Sequence, residues 1–454
     1  MIQIKWFLGD TVDMYRKEVV KKVECKIKNG KLIFIKFESR SPRKLKLFIN
    51  IDDSTKFKDR IFTHICKAKN QFPRKSSVSY TIKINDLMTL PLKTLRENYQ
   101  GIDLYICLCG LQKYKGKTAR EILEELCRCD TAVNKISDNE YEIRGLGTIA
   151  LNERNHLDEE ELHEIRKYIV GKIKDYDKNV YDIIFETHEK FYETHEKFSE
   201  LIDDVVEQLN KCLGHDTKQT DYDNMDYIIH YNMLDQKVRH ELMSALDITT
   251  CPYCNRQYIT HYKDEKGNKS STADLDHFYQ KSIYPLFALS LFNFIPSCQI
   301  CNSRMKGTKQ QNTLYPYEEG FDDEVKFCLK PKDHNEKDLL KSWLGDSEAI
   351  DNLQIDFEFC ENLDEEFKKR AEGSIELFKL KQVYDIHKAK ALDIVLKQRI
   401  YLEGSYKEYM STLMEGLGLS CTDEDIINIL VGYHWKDENY DEPLSKLVHD
   451  IFYK

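Results

Sequence analysis

Residues 251–309 read CPYCNRQYITHYKDEKGNKSSTADLDHFYQKSIYPLFALSLFNFIPSCQICNSRMKGTK, and they carry the strongest pattern in the chain. The stretch opens on Cys251-Pro-Tyr-Cys254 and closes on Cys298-Gln-Ile-Cys301, with 43 residues between the two C-x-x-C pairs. Each pair holds two thiolates on one side of a metal ion, and two pairs complete a tetrahedral zinc site. Four thiolates leave no open coordination position, so the spacing predicts a structural zinc ion bound by these four cysteines.

The residues between the two pairs include polar groups suited to phosphodiester hydrolysis. Asp276 and His277 lie in the run ADLDHF, Asn293 follows in LFNF, and Asn302 comes directly after the last cysteine. Hydrolysis requires a divalent cation to stabilise developing charge and a base to take a proton from water. Carboxylate and amide oxygens are ligands for Mg²⁺ or Mn²⁺, and a neutral imidazole is a suitable base near neutral pH.

The runs CPYCNRQY, DLDHFYQKS and YPLFALSLFNFIPSCQICNSRMKG resemble the HNH endonuclease superfamily, in its variant with two zinc knuckles that bracket a ββα-metal fold. They are similar in particular to HNH nucleases of bacterial anti-phage (antiviral) defence, such as the nuclease subunit of the Septu system. Weaker similarity extends to 378–390 and 441–451. The N-terminal half of the chain is outside the resemblance.

The resemblance implies a role for each polar residue. Asp276 and Asn302 would bind the catalytic divalent ion, His277 would be the general base, and Asn293 would hold the turn that keeps His277 oriented. Many members carry histidine in place of Asn302, and this departure favours Mg²⁺ or Mn²⁺ over Zn²⁺ as the reactive ion. Three basic side chains would contact the phosphates of the nucleic acid: Arg304, Lys306 and Lys309.

A non-catalytic module is the alternative interpretation. A zinc-stabilised domain that binds nucleic acid or protein would keep the four cysteines and would not need Asp276, His277 or Asn302. Asp274 shares a strand face with Asp276, and it is either an auxiliary group at the metal or a solvated carboxylate. His387 is interpreted as an ordinary helix histidine.

The chain is predicted to be α+β, with four parts. These are a basic α+β N-terminal domain at 1–150, a helical connector at 151–245, the ββα-metal HNH core with its four-cysteine zinc site at 246–320, and a mostly α-helical region at 321–454. Three runs in the first part predict strands: KLKLFINI (44–51), SVSYTIKI (77–84) and DLYICLC (103–109). VECKIK and KLIFIKFE flank Asn29-Gly30, a pattern typical of a β-hairpin.

One stretch is close to a phosphate-binding loop. Gly110-LQKYK-Gly116-Lys117-Thr118 has five residues between its glycines, where a P-loop has four. The extra residue would misplace the backbone N–H groups that bind phosphate. If the enzyme is controlled by ATP, we therefore expect a separate ATPase subunit.

Composition narrows the function classes further. The net charge of −10 argues against a protein that coats nucleic acid. The first hundred residues nevertheless carry 23 Lys/Arg against 10 Asp/Glu, which suits a domain facing nucleic acid or an acidic partner. The start lacks a signal-peptide pattern and no apolar run is long enough to span a membrane, so a cytoplasmic location without disulfides is expected. DNA is the expected partner, with RNA as the alternative, and a sensor subunit or a homo-oligomer remains open.

Overall fold

A computed structural model describes most of the chain. The described residues are 1–26, 32–41, 44–51, 77–99, 101–114, 117–151, short helical pieces between 161 and 172, 229, 231–265, 267, 269–309, 312–333, 336–344, 346–433 and 442–453. The turn predicted at Asn29-Gly30 and most of the predicted connector, including 173–228, lie outside these residues.

The chain folds as two compact units, each assembled from separate segments. The cysteine unit consists of Met1–Trp6, Leu246–Asp276 and Pro296–Lys454. The histidine unit consists of Phe7–Ala245 and His277–Ile295. The division therefore falls between two consecutive residues, Asp276 and His277.

Helices and small antiparallel sheets alternate in the first part of the histidine unit. Its helices are α1 (Gly9–Tyr15), α2 (Lys21–Lys26), α3 (Ile84–Thr89), α4 (Leu92–Asn98), α5 (Gly101–Gly110), α6 (Ala119–Cys129) and α7 (Gln236–Ala245). Its strands are β1 (Leu32–Ser41), β2 (Lys44–Ile51), β3 (Ser77–Lys83), β4 (Val133–Lys135), β5 (Glu140–Ile143) and β6 (Gly147–Ala150). A π-helical turn at Arg16–Val20 joins α1 to α2, and 3₁₀ turns lie at Leu111–Tyr114, Tyr231–Met233, Pro285–Phe287 and Leu291–Asn293.

Two three-stranded antiparallel sheets are formed, with strand orders β2-β1-β3 and β4-β5-β6. In the first sheet, Ile35 of β1 lies opposite Ile49 of β2 and Tyr80 of β3. The strands predicted at 44–51 and 77–84 are confirmed as β2 and β3.

Two segments predicted as strands are helices instead. DLYICLC lies within α5, and the first four residues of VECKIK lie within α2. Three residues along α5 are buried: Ile102, Leu104 and Tyr105. The helix is enclosed by protein, which is why its sequence is apolar. A short, continuous apolar run is compatible with a buried helix as well as with a buried strand, and the strand prediction was wrong for that reason.

The stretch that resembles a P-loop ends in a helix cap. The Thr118 side chain accepts from the Glu121 N–H, and the Glu121 carboxylate accepts from the Thr118 N–H, so the two residues form a capping box at the start of α6. The Lys117 ammonium lies 3.4 Å from the Glu125 carboxylate. Lys117 and Thr118, the two residues that end the motif, therefore have roles within the fold.

The cysteine unit combines short strand pairs with a set of helices. Its strands are β7 (His261–Lys263), β8 (Lys269–Ser271), β9 (Asp274–His277), β10 (Phe294–Ser297), β11 (Val325–Pro331) and β12 (Leu353–Phe359), and the last residue of β9 and the first two of β10 are assigned to the histidine unit. They pair as β7-β8, β9-β10 and β11-β12. A π-helical segment spans Ile300–Lys306. The helices are α8 (Glu336–Trp343), α9 (Ser347–Asn352), α10 (Glu365–Leu377), α11 (Leu380–Tyr384), α12 (Lys388–Leu402), α13 (Ser405–Gly416), α14 (Asp423–Val431) and α15 (Ser445–Phe452).

The described chain is thus α+β, as predicted, with small sheets and many helices. Among the described helices, none is long and apolar enough to cross a bilayer.

A buried ion pair fixes α15 within the cysteine unit. The Lys446 and Asp450 side chains are 0% and 1% exposed, and the ammonium lies 2.5 Å from both carboxylate oxygens. Asp450 also accepts from the backbone N–H of Phe327 in β11 at 2.8 Å. Burial lowers the pKa of the Lys446 ammonium, and the carboxylate of Asp450 opposes that shift. The pair therefore fixes α15 to β11. Removing either side chain alone would leave the other as an unpaired buried charge.

We predict that Lys446→Met lowers the free energy of unfolding of the cysteine unit by about 3–5 kcal/mol, because Asp450 is left charged and buried. Adding Asp450→Asn should recover part of this loss, since neither charge then remains unpaired. Urea unfolding followed by tryptophan fluorescence measures this unit, because Trp6 and Trp343 lie in its segments.

The control is Lys407→Met, which breaks the exposed pair with Asp423, whose side chains are 43% and 59% exposed. That change should cost less than about 1 kcal/mol. Equal losses in the two lysine variants would contradict the role given to the buried pair.

Candidate metal centre

The four cysteines of the two C-x-x-C pairs converge in the cysteine unit. The Sγ atoms of Cys251, Cys254, Cys298 and Cys301 all lie within 4.8 Å of one another, and all four residues are buried. A tetrahedral zinc ion with Zn–S bonds of about 2.3 Å places its sulfurs about 3.8 Å apart. Among the described residues, this is the cluster of metal-binding side chains that could hold an ion. Four buried sulfur donors suit zinc.

Backbone hydrogen bonds shape both turns. In the first, the N–H of Asn255 donates to the carbonyl of Cys251 at 2.8 Å, and Asn255 has a φ of 46°. Asparagine tolerates this left-handed conformation better than most residues. In the second, the N–H of Asn302 donates to the carbonyl of Cys298 at 3.0 Å, and the N–H of Cys301 lies 3.5 Å from the Cys298 sulfur.

The charges of the four cysteine thiolates would be stabilised by a bound cation. Burial raises the pKa of the Cys251 thiol, whereas hydrogen bonds with the other three cysteines hold the pKa of Cys298 far below its usual range. A zinc ion would stabilise all four as thiolates, which otherwise could not be buried together as negative charges.

The first turn is anchored to the C-terminal helices. The hydroxyl of Tyr384, in α11, donates to the carbonyl of Cys254 at 2.7 Å. The N–H groups of Leu444 and Lys446, next to and within α15, donate to the backbone and side-chain oxygens of Asn255 at 2.7 Å and 3.1 Å. The C-terminal region is therefore part of the framework of the cysteine cluster.

Asp276 is buried and its carboxylate is already paired. The ammonium of Lys306 lies 2.8 Å from Oδ1 and 2.6 Å from Oδ2, and the Tyr253 hydroxyl donates to Oδ2 at 2.6 Å. Burial lowers the pKa of Lys306, and Asp276 opposes that shift. The sequence predicts Lys306 as a phosphate contact, but the structure places its ammonium on Asp276.

A second polar pair joins the same two elements. The side-chain amide of Asn302, in the π-helical segment, donates to Oδ2 of Asp274, in β9, at 3.1 Å. The amide nitrogen faces Asp274, so the amide oxygen of Asn302 is the atom that would bind a cation.

The oxygen donors suit Mg²⁺ or Mn²⁺ in type but not in their present arrangement. Both oxygens of Asp276 face an ammonium group, and the Asn302 amide nitrogen faces Asp274. An ammonium and a divalent ion cannot bind the same carboxylate lone pairs. In the arrangement described here, a divalent ion on Asp276 would lie next to the Lys306 ammonium, which opposes its binding.

His277 opens the second segment of the histidine unit. Its Nε2 lies 3.0 Å from the carbonyl oxygen of Ala288. A carbonyl only accepts, so Nε2 carries the hydrogen and the neutral ring has its lone pair on Nδ1. The ring packs edge-on against Tyr231 and Phe294, with centroids 4.8 Å and 5.1 Å away. This arrangement sets the tautomer and the orientation of the ring.

Asn293 closes the loop that follows His277. Its side-chain amide donates to the carbonyls of Tyr279 and Phe287 at 2.9 Å each and accepts from the N–H of Tyr279 at 2.7 Å. The N–H of Phe278 donates to its backbone carbonyl at 2.9 Å. Together these bonds hold both ends of the loop.

Two buried tyrosines fix the same loop to the helices of the histidine unit. The hydroxyl of Tyr15, in α1, donates to the carbonyl of Leu289 at 2.8 Å. The hydroxyl of Tyr105, in α5, accepts from the N–H of Leu286 at 3.1 Å, and its ring packs against Phe287. Burial raises the pKa of both tyrosines, so both stay neutral.

The remaining predicted residues, Arg304 and Lys309, are exposed near the end of the π-helical segment and just beyond it. Sequence reasoning missed Tyr253 and Tyr231. Tyr253 lies inside the first C-x-x-C pair. A tyrosine buried between two metal ligands needs a hydrogen-bond partner, so its position in the motif could have indicated a role in the site. Nothing in the local sequence points to Tyr231, which lies 46 residues before His277.

Comparisons of the chain with models of protein families, with curated proteins and with solved structures found no match. What the site can do therefore has to be argued from its own residues.

We predict that the purified chain contains about one zinc ion and that Cys298→Ser loses it, because a hydroxyl is a poor replacement for a thiolate at a closed zinc site. Elemental analysis of the protein after desalting measures the zinc content. The control is Cys360→Ser, which changes an exposed cysteine outside the cluster and should leave the zinc content unchanged. Equal zinc in the wild type and in Cys298→Ser would contradict this assignment.

Proposed function

We propose that the chain is a metal-dependent endonuclease of the HNH type that hydrolyses phosphodiester bonds in DNA. The observation that carries the proposal is the contact between β9 and the π-helical segment within the cysteine unit. Asp274 and Asp276 on one element are hydrogen-bonded to Asn302 and Lys306 on the other. Three residues that the HNH resemblance marks as functional, Asp276, Asn302 and Lys306, thus take part in contacts that span 28 and 30 positions of sequence.

His277 supplies the general base of this proposal. Its Nδ1 lone pair would take a proton from the attacking water, while the bond from Nε2 to the Ala288 carbonyl keeps that tautomer. Asn293 holds the loop that contains Ala288 and so keeps the acceptor of Nε2 in place. Packing against Tyr231 and Phe294 restricts the rotation of the ring.

Asp276 and the Asn302 amide oxygen would hold the Mg²⁺ or Mn²⁺ ion. The bound ion would stabilise negative charge on the phosphate and on the leaving oxygen. The exposed Arg304 and Lys309 would bind phosphates on either side of the cleaved bond, positioning the strand without reading its sequence. The zinc ion has a structural role, because its four sulfur ligands leave no position for water.

In its biological setting, the nuclease would act in anti-phage defence. An unrestrained DNase would damage the host, so the proposal includes restraint by the N-terminal region or by a partner such as a sensor or ATPase subunit.

One observation favours the non-catalytic alternative. The pairing of Asp276 with Lys306 and Tyr253 satisfies this carboxylate without any divalent ion. In a zinc-stabilised module that only binds nucleic acid or protein, such a pairing would be permanent.

We predict that the purified wild type nicks or linearises supercoiled plasmid with Mg²⁺ or Mn²⁺ and not with EDTA. His277→Ala should lower the cleavage rate by about 10²–10⁴-fold, because the base is lost, and it should retain its zinc. Agarose gels over a time course measure the rate, and zinc analysis shows that the cysteine unit of the variant is folded.

The matched control is His387→Ala, which removes a half-buried histidine that accepts from Arg256 at 3.2 Å. It should cleave at the wild-type rate. Equal cleavage by the wild type and His277→Ala would mean that His277 is not the base. Absence of metal-dependent cleavage of plasmid, single-stranded DNA and RNA by the wild type would favour the non-catalytic module.

A further inference from the structure

Asp276 and Lys306 form a closed ion pair in the cysteine unit. Their side chains are 6% and 7% exposed, and the ammonium lies within 2.8 Å of both carboxylate oxygens. The Tyr253 hydroxyl adds a third donor at 2.6 Å. A side chain with two oxygens therefore has a donor on each of them, and one of these donors is a full positive charge.

The proposed function, on which this inference rests, assigns the divalent ion to that same carboxylate. Two cations within a few ångströms of each other in a buried environment repel strongly. The ion and the Lys306 ammonium therefore compete for Asp276, and binding of either one weakens binding of the other.

Lys306 is well placed to give way. It is the last residue of the π-helical segment, and Gly307 follows with φ 49° and ψ −122°, a conformation that L side chains rarely adopt. The chain turns directly behind Lys306, and Arg304 and Lys309 on either side of it are exposed. A lysine ammonium is a point charge on a flexible four-carbon stem, so changes of rotamer alone can move it by several ångströms.

We propose that Lys306 is a latch on Asp276. It takes the place of the divalent ion while none is bound, and it swings away from the carboxylate when the ion binds. The released ammonium then contacts the phosphate of the bound nucleic acid. The predicted phosphate contact and the observed ion pair are, on this proposal, two positions of one side chain.

The latch lowers the affinity of the site for its ion. The apparent dissociation constant equals the intrinsic one divided by the fraction of molecules in which Asp276 is open. An open fraction of about 1–10% would weaken ion binding about 10–100-fold. A phosphate that binds the Lys306 ammonium raises the open fraction, so nucleic acid and ion favour each other's binding. Cleavage is thereby suppressed until both are present.

The first test measures Mn²⁺ binding to the full-length, zinc-loaded protein by electron paramagnetic resonance of free Mn²⁺, without nucleic acid. Lys306→Met should bind Mn²⁺ about 10–100-fold more tightly than the wild type, because no cation has to be displaced. Lys263→Met, which removes an exposed lysine that has no role in the proposed site, should bind as the wild type does. Adding Asp276→Asn to Lys306→Met should abolish the gain.

The second test uses the unaltered protein, so it does not depend on how well a variant folds. Acylation of lysines, followed by mass spectrometry, should show Lys306 protected without Mn²⁺ and reactive with it. Lys446, whose side chain is 0% exposed, serves as the protected reference, and Lys309 serves as the exposed one.

Two results would overturn the latch: an unchanged Mn²⁺ affinity in a folded, zinc-loaded Lys306→Met, or continued protection of Lys306 at saturating Mn²⁺. If Lys306→Met does not fold, the labelling result decides. The latch and the nuclease can fail separately. Cleavage by the wild type with no affinity gain in Lys306→Met would refute the latch alone, whereas tighter Mn²⁺ binding without cleavage by any variant would refute the nuclease alone.

Discussion

The convergence of four cysteine sulfurs on one point is the constraint on which the cysteine unit depends. Cys254 and Cys298 are separated by 43 residues, so the chain has to leave the cluster and return to it. The return places the π-helical segment beside β9, which is why Asn302 reaches Asp274 and Lys306 reaches Asp276. Tyr384 and the first residues of α15 donate hydrogen bonds to Cys254 and Asn255 in the first cysteine turn. The cluster therefore links the candidate site to the C-terminal helices.

Two buried lysine–carboxylate pairs in this unit illustrate different uses of the same chemistry. Lys446 and Asp450 lie one helical turn apart on α15, and Asp450 also accepts a backbone N–H, so the pair is local and part of the framework. Lys306 and Asp276 come from two different elements, and the lysine precedes a glycine at the end of its segment. A buried pair adds little net stability over apolar packing, so the second pair is better explained by what it does to Asp276.

The loop after His277 is organised around Asn293. One amide side chain satisfies three backbone groups of this loop, and Tyr15 and Tyr105 tie it to the helices of the histidine unit. Buried backbone groups without partners would be costly, so the polar contacts explain how an irregular loop can be enclosed. The order of this loop fixes the carbonyl that orients the His277 ring.

The cysteine cluster was predictable from the sequence, because the spacing of a C-x-x-C pair is itself a geometric requirement of metal binding. Strands β2 and β3 were predictable as well, because their polar and apolar residues alternate in the way that is typical of strands. The helix α5 was not, because an apolar run is the same in a buried helix and a buried strand. The partner of Lys306 was not predictable either. Its charge is visible in the sequence, but which oxygen it meets, 30 residues away, depends on how two turns of chain pack around one cluster of sulfurs.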